Sequence, residues 1–274
     1  MGPRYRKEDR AASAALSEGY RLIATRVRMK RRIVVAWIGA ALAAASCGAP
    51  VERSQGEATR QDDGWTAAPR IKAVERHGAS LIVRGDAPSG SRVVLRDDQD
   101  AAFAAGVDGS GRFELRISGL DAAMLLAPEV QVGQFPAPGP ERLLITPSGD
   151  QALAALLIEG GPSRRLSPGP VLDSVDDDGR GLLASGRAPS GTRVVVSSAG
   201  VTADAVADAS GRWTALLAGA GHRADFVEVA GVRFDYPGPA GLDEVGRIER
   251  AGAGWRLTRA FSASARQTTW FPDV

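Results

Sequence analysis

Gly85-Asp86-Ala87-Pro88-Ser89-Gly90-Ser91-Arg92-Val93-Val94-Leu95 returns as Gly186-Arg187-Ala188-Pro189-Ser190-Gly191-Thr192-Arg193-Val194-Val195-Val196, offset by 101 residues. A second pair follows in the same order. Asp108-Gly109-Ser110-Gly111-Arg112-Phe113 returns as Asp208-Ala209-Ser210-Gly211-Arg212-Trp213, offset by 100. Two matched segments in one order, separated by a single change of length, are the mark of a duplicated domain. Each copy then has roughly 100 residues, an ordinary size for a β-sandwich.

Working outward, Ser80 to Gly85 alternates, with Leu81 and Val83 on one face and Ile82 and Arg84 on the other. Asp86 to Gly90 is a turn, because Pro and Gly stop a strand. Val93 and Leu95 share a face of the next strand. Ala101 to Val107 is a third, and Asp108-Gly109-Ser110-Gly111 is a tight hairpin in which the Asp side chain bonds the turn. Phe113, Leu115 and Ile117 then face one way, with Arg112, Glu114 and Arg116 opposite. That is period two, a half-buried strand.

The rest of the first copy reads as a short helical turn over Asp121 to Ala127 and strands over Glu129 to Phe135, Arg142 to Thr146 and Ala152 to Ile158. Pro136, Pro138 and Pro140 mark an edge or loop. In the second copy Leu182, Ala184, Val194 and Val196 repeat the inward positions, and Trp213 replaces Phe113 as an aromatic plug. Glu228 to Tyr236, Gly246 to Arg250, Gly254 to Arg259 and Gln267 to Phe271 are further strands. No amphipathic helix of ten residues is evident after residue 70, so the fold class is all-β, two tandem sandwiches.

The two motifs resemble bacterial immunoglobulin-like domains of exported proteins and the related carboxypeptidase-regulatory-like, transthyretin-like sandwiches. The resemblance covers about 70–120 and 170–217. It implies a β-sandwich and says little of function, since such domains serve as spacers, adhesive modules and accessory domains.

The N-terminus carries the second signal. Arg26 to Arg32 is a basic cluster, and Ile33 to Ser46 is an uncharged run of 14 residues ending at Cys47, the single cysteine of the chain. A basic region, an apolar run and a small-residue end make an export signal. Fourteen residues are short of the about 20 that span a bilayer; counted on to Val51, the run leaves a membrane anchor open. Leu42 and Ala44-Ala45-Ser46-Cys47 resemble a bacterial lipobox. That resemblance implies that Cys47 is acylated and becomes the first mature residue, bound to membrane lipid. Acyl chains contribute about 0.8 kcal/mol per buried CH2. Gly48 rather than Asp after the cysteine implies the outer membrane.

On these signals 1–28 is an extension ahead of a true start at Met29, with the signal peptide at 29–46. A disordered polar tether spans 47–68. The first sandwich takes 69–159, a linker 160–169 and the second sandwich 170–274. With Met1 as the start, the alternative is a single-pass inner-membrane protein with a cytoplasmic 1–28.

Charge points away from nucleic acid. Of 34 Lys and Arg, ten lie in 1–46, and of 32 Asp and Glu, three do, so residues 47–274 carry net −5. The basic pI belongs to the N-terminus.

Chemistry-bearing patterns are sparse. His77 and His222 both read as loop residues, away from any nucleophile motif. Asp97-Asp98-Gln99-Asp100 and Asp173 with Asp176-Asp177-Asp178-Gly179 read as solvated hairpin tips, because the ligand spacing of a calcium loop is missing. No zinc spacing, phosphate loop or dinucleotide motif occurs. Trp213, Phe234, Tyr236, Trp255 and Trp270 read as core rather than a sugar-stacking platform, and Trp270-Phe271, if exposed, is the best partner contact. The expectation is a non-catalytic envelope lipoprotein facing the periplasm, a binding or spacer element with a protein partner in the envelope, no cofactor and no metal. An enzyme acting on envelope glycans is the distant alternative.

Overall fold

The computed structural model describes residues 67–99, 101–132, 135–147, 152–241, 244–262 and 265–274. The expected extension 1–28, the expected signal peptide 29–46, Cys47 and nearly all of the expected tether 47–68 lie outside the described residues. The protein is all-β, built from antiparallel sheets. Among the described residues no helix is long and apolar enough to cross a membrane.

The first repeat contains β1 (Arg70–His77), β2 (Ser80–Asp86), β3 (Arg92–Arg96), β4 (Ala102–Gly106), β5 (Arg112–Ser118), β6 (Met124–Val132) and β7 (Phe135–Pro138). Then come β8 (Glu141–Ile145), β9 (Ala154–Ile158) and β10 (Arg164–Arg165). The second contains β11 (Leu172–Asp177), β12 (Gly181–Arg187), β13 (Arg193–Ser198), β14 (Val201–Val206), β15 (Arg212–Ala218), β16 (Phe226–Val229) and β17 (Val232–Asp235). It closes with β18 (Ile248–Arg250), β19 (Gly254–Ala260) and β20 (Arg266–Pro272).

The duplication is visible strand by strand. β1-β2-β5 matches β11-β12-β15, and β4-β3-β6-β7 matches β14-β13-β16-β17. Even the irregularities repeat: a register shift falls between Ile71 and Ala73 in one copy and between Leu172 and Ser174 in the other. The Asp108 carboxylate accepts from the Ser110 and Arg112 amides, and Asp208 does the same for Ser210 and Arg212. Gly85 and Gly186 pass under the aromatic plugs. A Cβ there would overlap the Phe113 or Trp213 ring and a backbone carbonyl, of Arg70 or Val171, so only glycine fits.

The single change of length is also located. Between β13 and β14 the chain turns through Ala199 and Gly200, both at positive φ, the two-residue hairpin suited to sheet twist. The first copy has one residue more between Asp97 and Ala101, and Asp97 accepts there from the amides of Gln99 and Ala101.

Each sandwich has its own core. Val83, Leu95, Phe113, Leu115 and Ile117 belong to the first, and Leu182, Val196, Trp213, Leu217 and Val227 to the second. A third cluster joins them. Leu143, Ile145 and Leu156 face the first core, while Leu144, Leu153, Ala155 and Leu157 on the other face of β8–β9 pack with Leu257 and Phe271.

One element differs in kind from the sequence reading. Asp121 to Ala127, expected as a helical turn, leads into the nine-residue strand β6. Its residues pair with both β3 and β8, and that pairing outweighs the helical propensity of Ala, Met and Leu. The expected strand Glu228 to Tyr236 is a hairpin, β16–β17, turning at Ala230 and Gly231. Residues 160–169 include β10, which pairs with β9.

Candidate functional site

Among the described residues, β11 carries three buried carboxyl side chains, Asp173, Asp176 and Asp177. All six residues of this strand are buried. It has β12 on one side and β20 on the other, with Val175 opposite Trp270 and Asp176 opposite Thr269. This corrects the reading of Asp173, Asp176 and Asp177 as solvated tips: they are 1%, 4% and 2% exposed. Only Asp178 is at the surface, accepting from the amides of Arg180 and Gly181.

Asp176 is fully enclosed and satisfied by neutral donors. Ser163 gives its amide and its hydroxyl, both at 2.7 Å; Gln267 Nε2 donates at 2.7 Å and Thr269 Oγ1 at 2.6 Å. These donors favour the carboxylate form, but burial outweighs them and raises its pKa above the usual range. The donors come from the segment between the repeats and from the last strand, so this one carboxylate ties β10's approach, β11 and β20 together. Gln267 further accepts from the Gly160 amide and donates to the Gly161 carbonyl.

Asp173 is paired instead with cations. Arg187 Nε stands 3.2 Å away and Arg212 Nη1 3.3 Å away. Burial raises this carboxyl too, against the pull of those two arginines. Arg165, 3% exposed, donates to the Pro272 carbonyl, and burial pushes its pKa down to about 10. Asp177 accepts from the Gly179 amide at 2.7 Å and the Tyr236 hydroxyl at 3.2 Å. Burial raises Asp177 and, more strongly, Tyr236.

Of the five aromatic residues expected in the core, Trp213, Tyr236 and Trp270 are buried, while Phe234 and Trp255 are half-buried and pack against its edges. Tyr236 meets Trp270 edge to face at 5.8 Å, and Trp270 Nε1 donates to the Ala251 carbonyl. Trp270 and Phe271 are 1% and 0% exposed, so the expectation of a partner contact there, conditional on exposure, does not apply. Adjacent on β20, they point to opposite faces: Trp270 enters the second core and Phe271 the shared cluster.

His77 ends β1 and His222 lies in a 3-10 turn, Gly221–Arg223; both are exposed. Among the described residues neither hydrogen-bonds to a serine or an aspartate, and no group of three His, Cys, Asp or Glu is placed to hold a metal ion. Ser163 and Asp176 do form a hydrogen-bonded pair, without an imidazole. Sequence reasoning passed over Ser163, Arg165 and Thr269, and named Gln267 only as a strand terminus. Their one visible signal is the run of polar residues in Gln267-Thr268-Thr269, unusual before two large aromatics.

A cleft of about 770 Å³ lies where β8 approaches β18 and β19. It is lined by both signs of charge, including Asp97, Asp121, Glu159, Arg142 and Arg259.

No family model matches the chain, and no curated protein matches it. Among solved structures, a calcium-stabilised adhesin that helps an Antarctic bacterium reach out and bind ice is similar at 10% identity, over 76% of this chain and 74% of that one. The TM-score of that match is 0.20, too low a likeness to carry an argument.

Proposed function

We propose that the protein is a non-catalytic lipoprotein of the cell envelope that presents its two sandwiches in the periplasm as one stiff binding or spacer element. The observation that carries this reading is the way the repeats are joined. Leu144 and Leu157 pack against Leu257 and Phe271, and Asp176 gathers donors from both sides of the junction. Buried carboxylates held by backbone and side-chain donors are a means of specifying one arrangement. Such a junction suits a device that sets a distance or orientation.

Attachment rests on the N-terminal pattern: the basic cluster Arg26 to Arg32, the apolar run Ile33 to Ser46, and Cys47 behind small residues. The net charge of −5 over 47–274 supports a role away from nucleic acid, and the absence of Asp after Cys47 favours the outer membrane. Protein partners in the envelope follow from the binding half of the proposal.

Mass spectrometry of the protein purified from membranes tests it. The expected mature N-terminus is Cys47 bearing diacylglycerol and an amide-linked acyl chain, and Cys47→Ala abolishes incorporation of labelled palmitate. An intact Met1 with an unmodified Cys47 overturns the lipoprotein reading in favour of a single-pass inner-membrane protein.

A further inference from the structure

The junction around Asp176 places a hydroxyl, a carboxyl and a carboxamide in the order that an acyl transfer uses. Ser163 Oγ and Gln267 Nε2 both donate to one oxygen, Asp176 Oδ1, each at 2.7 Å. The hydroxyl and the amide nitrogen are therefore no further apart than twice that distance. Ser163 is also held by its main chain. Its amide donates to Asp176 Oδ2 at 2.7 Å, and its carbonyl accepts from the Ser174 and Ser185 hydroxyls at 2.8 and 2.5 Å. Ser163, Asp176 and Gln267 are 0%, 4% and 5% exposed, so bulk water does not reach them.

The oxygen of the same carboxamide is polarised. Gln267 Oε1 accepts from the Gly160 amide at 3.3 Å and from Arg259 Nη2 at 3.4 Å. Among the described residues the donors to Asp176 are all neutral, and the Arg259 cation bonds the amide oxygen instead. Donors aimed at an oxygen that gains negative charge favour attack on its carbon. A carboxylate between a hydroxyl and a leaving nitrogen can carry the proton from one to the other. Burial, which raises Asp176, makes that carboxylate a stronger base than an exposed one.

We propose that Ser163 and Gln267 join in an intramolecular ester that closes the junction covalently. Ser163 Oγ attacks Gln267 Cδ, and Asp176 takes the hydroxyl proton. The negative charge that gathers on Oε1 is met by Gly160 and Arg259. The Cδ–Nε2 bond then breaks, Asp176 passes the proton to the nitrogen, and ammonia leaves. One ester and one ammonia result, nothing is oxidised or reduced, and Asp176 is regenerated. Thr269 Oγ1 donates to the same carboxylate oxygen at 2.6 Å, but it shares a strand face with Gln267, so an ester there would bridge neighbours on β20 alone. Ser163 ties the segment between the repeats to the last strand. The proposal goes beyond the envelope role and holds whether or not Cys47 is acylated, because the two modifications are read on different peptides.

The test is mass spectrometry of the full chain carrying Cys47→Ser, kept folded at neutral pH for days. Its mass is expected to lie one ammonia below that of the sequence. The chain has no asparagine, the usual source of such a loss. Cleavage before aspartates is expected to release peptides 150–172 and 243–272 joined to each other. Alkaline hydroxylamine separates the pair, as it does an ester. Ser163→Ala retains the full mass, and so does Asp176→Asn, which keeps an acceptor but cannot take the proton. Circular dichroism matching the parent shows that the variants are folded; where one is not, the joined peptides of the parent decide. The idea is overturned by a parent of unchanged mass, by a link that hydroxylamine leaves intact, or by a joined pair that persists in Ser163→Ala. Loss of ammonia confined to peptide 243–272 also overturns it, in favour of Thr269 as the nucleophile.

Discussion

The two sandwiches share a seven-strand plan and part company in the three strands that follow it. In the first, β8, β9 and β10 extend the sheet that contains β3 and β6; in the second, β20, β19 and β18 extend the sheet that contains β11. The same chain position therefore meets different surroundings. Glu75 and Asp176 are equivalents, opposite Ile82 and Leu183 in identical register. Glu75 sits on an edge strand in water and pairs with Arg84; Asp176 sits in a central strand, buried by β20. Duplication preserved the turns and the aromatic plug, while the appended hairpins decided which polar residues are inside.

The hardest blow to this arrangement falls on β20. Truncating a buried large aromatic costs about 3–5 kcal/mol, so Trp270→Ala and Phe271→Ala are both expected to destabilise by that amount. They differ in manner. Trp270→Ala lowers the unfolding transition of the second repeat and removes the bond to the Ala251 carbonyl. Phe271→Ala empties the shared cluster, and guanidinium unfolding followed by circular dichroism of the strands, which both repeats contribute, then shows two separated transitions where the parent shows one. A single transition in Phe271→Ala would mean that the repeats are coupled by something other than this cluster.

Equivalent acids make the next contrast. Asp176→Ala strands Ser163, Gln267 and Thr269 donors in a dry site, at about 3 kcal/mol for the set. Glu75→Ala, at the matching position, leaves the melting temperature unchanged, because an exposed ion pair contributes little. Equal effects at the two positions would break the comparison outright.

This contrast also shows what the sequence made legible. The Gly-Pro-Gly turn, the Asp-x-Ser-Gly hairpin and the period-two run Phe113, Leu115, Ile117 are local: each encodes its own geometry within a few residues, and each is found where the pattern places it. Trp213 as the second plug follows from alignment with Phe113. The junction was not legible in this way. Asp176 looks like a solvated tip in its own neighbourhood, flanked by Asp177 and Asp178, and the residue that buries it, Thr269, is 93 positions away. β6 was misread for the same reason: Met124 to Ala127 favours a helix locally and becomes strand because β3 and β8 offer it backbone partners. That Leu216 stands exposed where the first copy has Arg116 is legible only by overlaying the copies.

Titration sharpens the comparison at smaller scale. Burial raises Asp173, Asp176 and Asp177, so the folded state keeps these protons at pH values where the unfolded chain has released them. Their contribution is fully present below the ordinary carboxylate range, about 4, and is lost as pH rises through the higher folded values. Asp108 and Asp208 run the other way. The Ser110 hydroxyl and Arg112 amide lower the first, and the Arg212 amide and Ser210 hydroxyl lower the second. Their contribution is present above about 4 and lost as pH falls through the lower folded values. The first repeat has Lys72, Glu75 and Arg76 at the three raised positions, so the loss as pH rises above about 4 belongs to the second. Asp176→Asn keeps an acceptor for the two hydroxyls, and it is expected to reduce the slope of stability against pH in that window by about one proton. An unaltered slope would place the raised titration elsewhere.

The smallest expected effect is a gain. The second repeat turns at Ala199 and at Ala230 with φ of 50° and 49°, a region that costs an L-residue about 1–2 kcal/mol. Glycine removes that strain but adds disorder to the unfolded chain, worth about 0.5–1 kcal/mol in the opposite sense. Strain is the larger of the two, so Ala199→Gly and Ala230→Gly should each raise stability by about 0.5 kcal/mol. In the first repeat the longer connection between Asp97 and Ala101 is held by its own Asp97 carboxylate, and Asp98→Gly there brings no gain. A gain at Asp98 as large as at Ala199 would show that chain flexibility, and not the left-handed turn of the shorter hairpin, sets the stability of these loops.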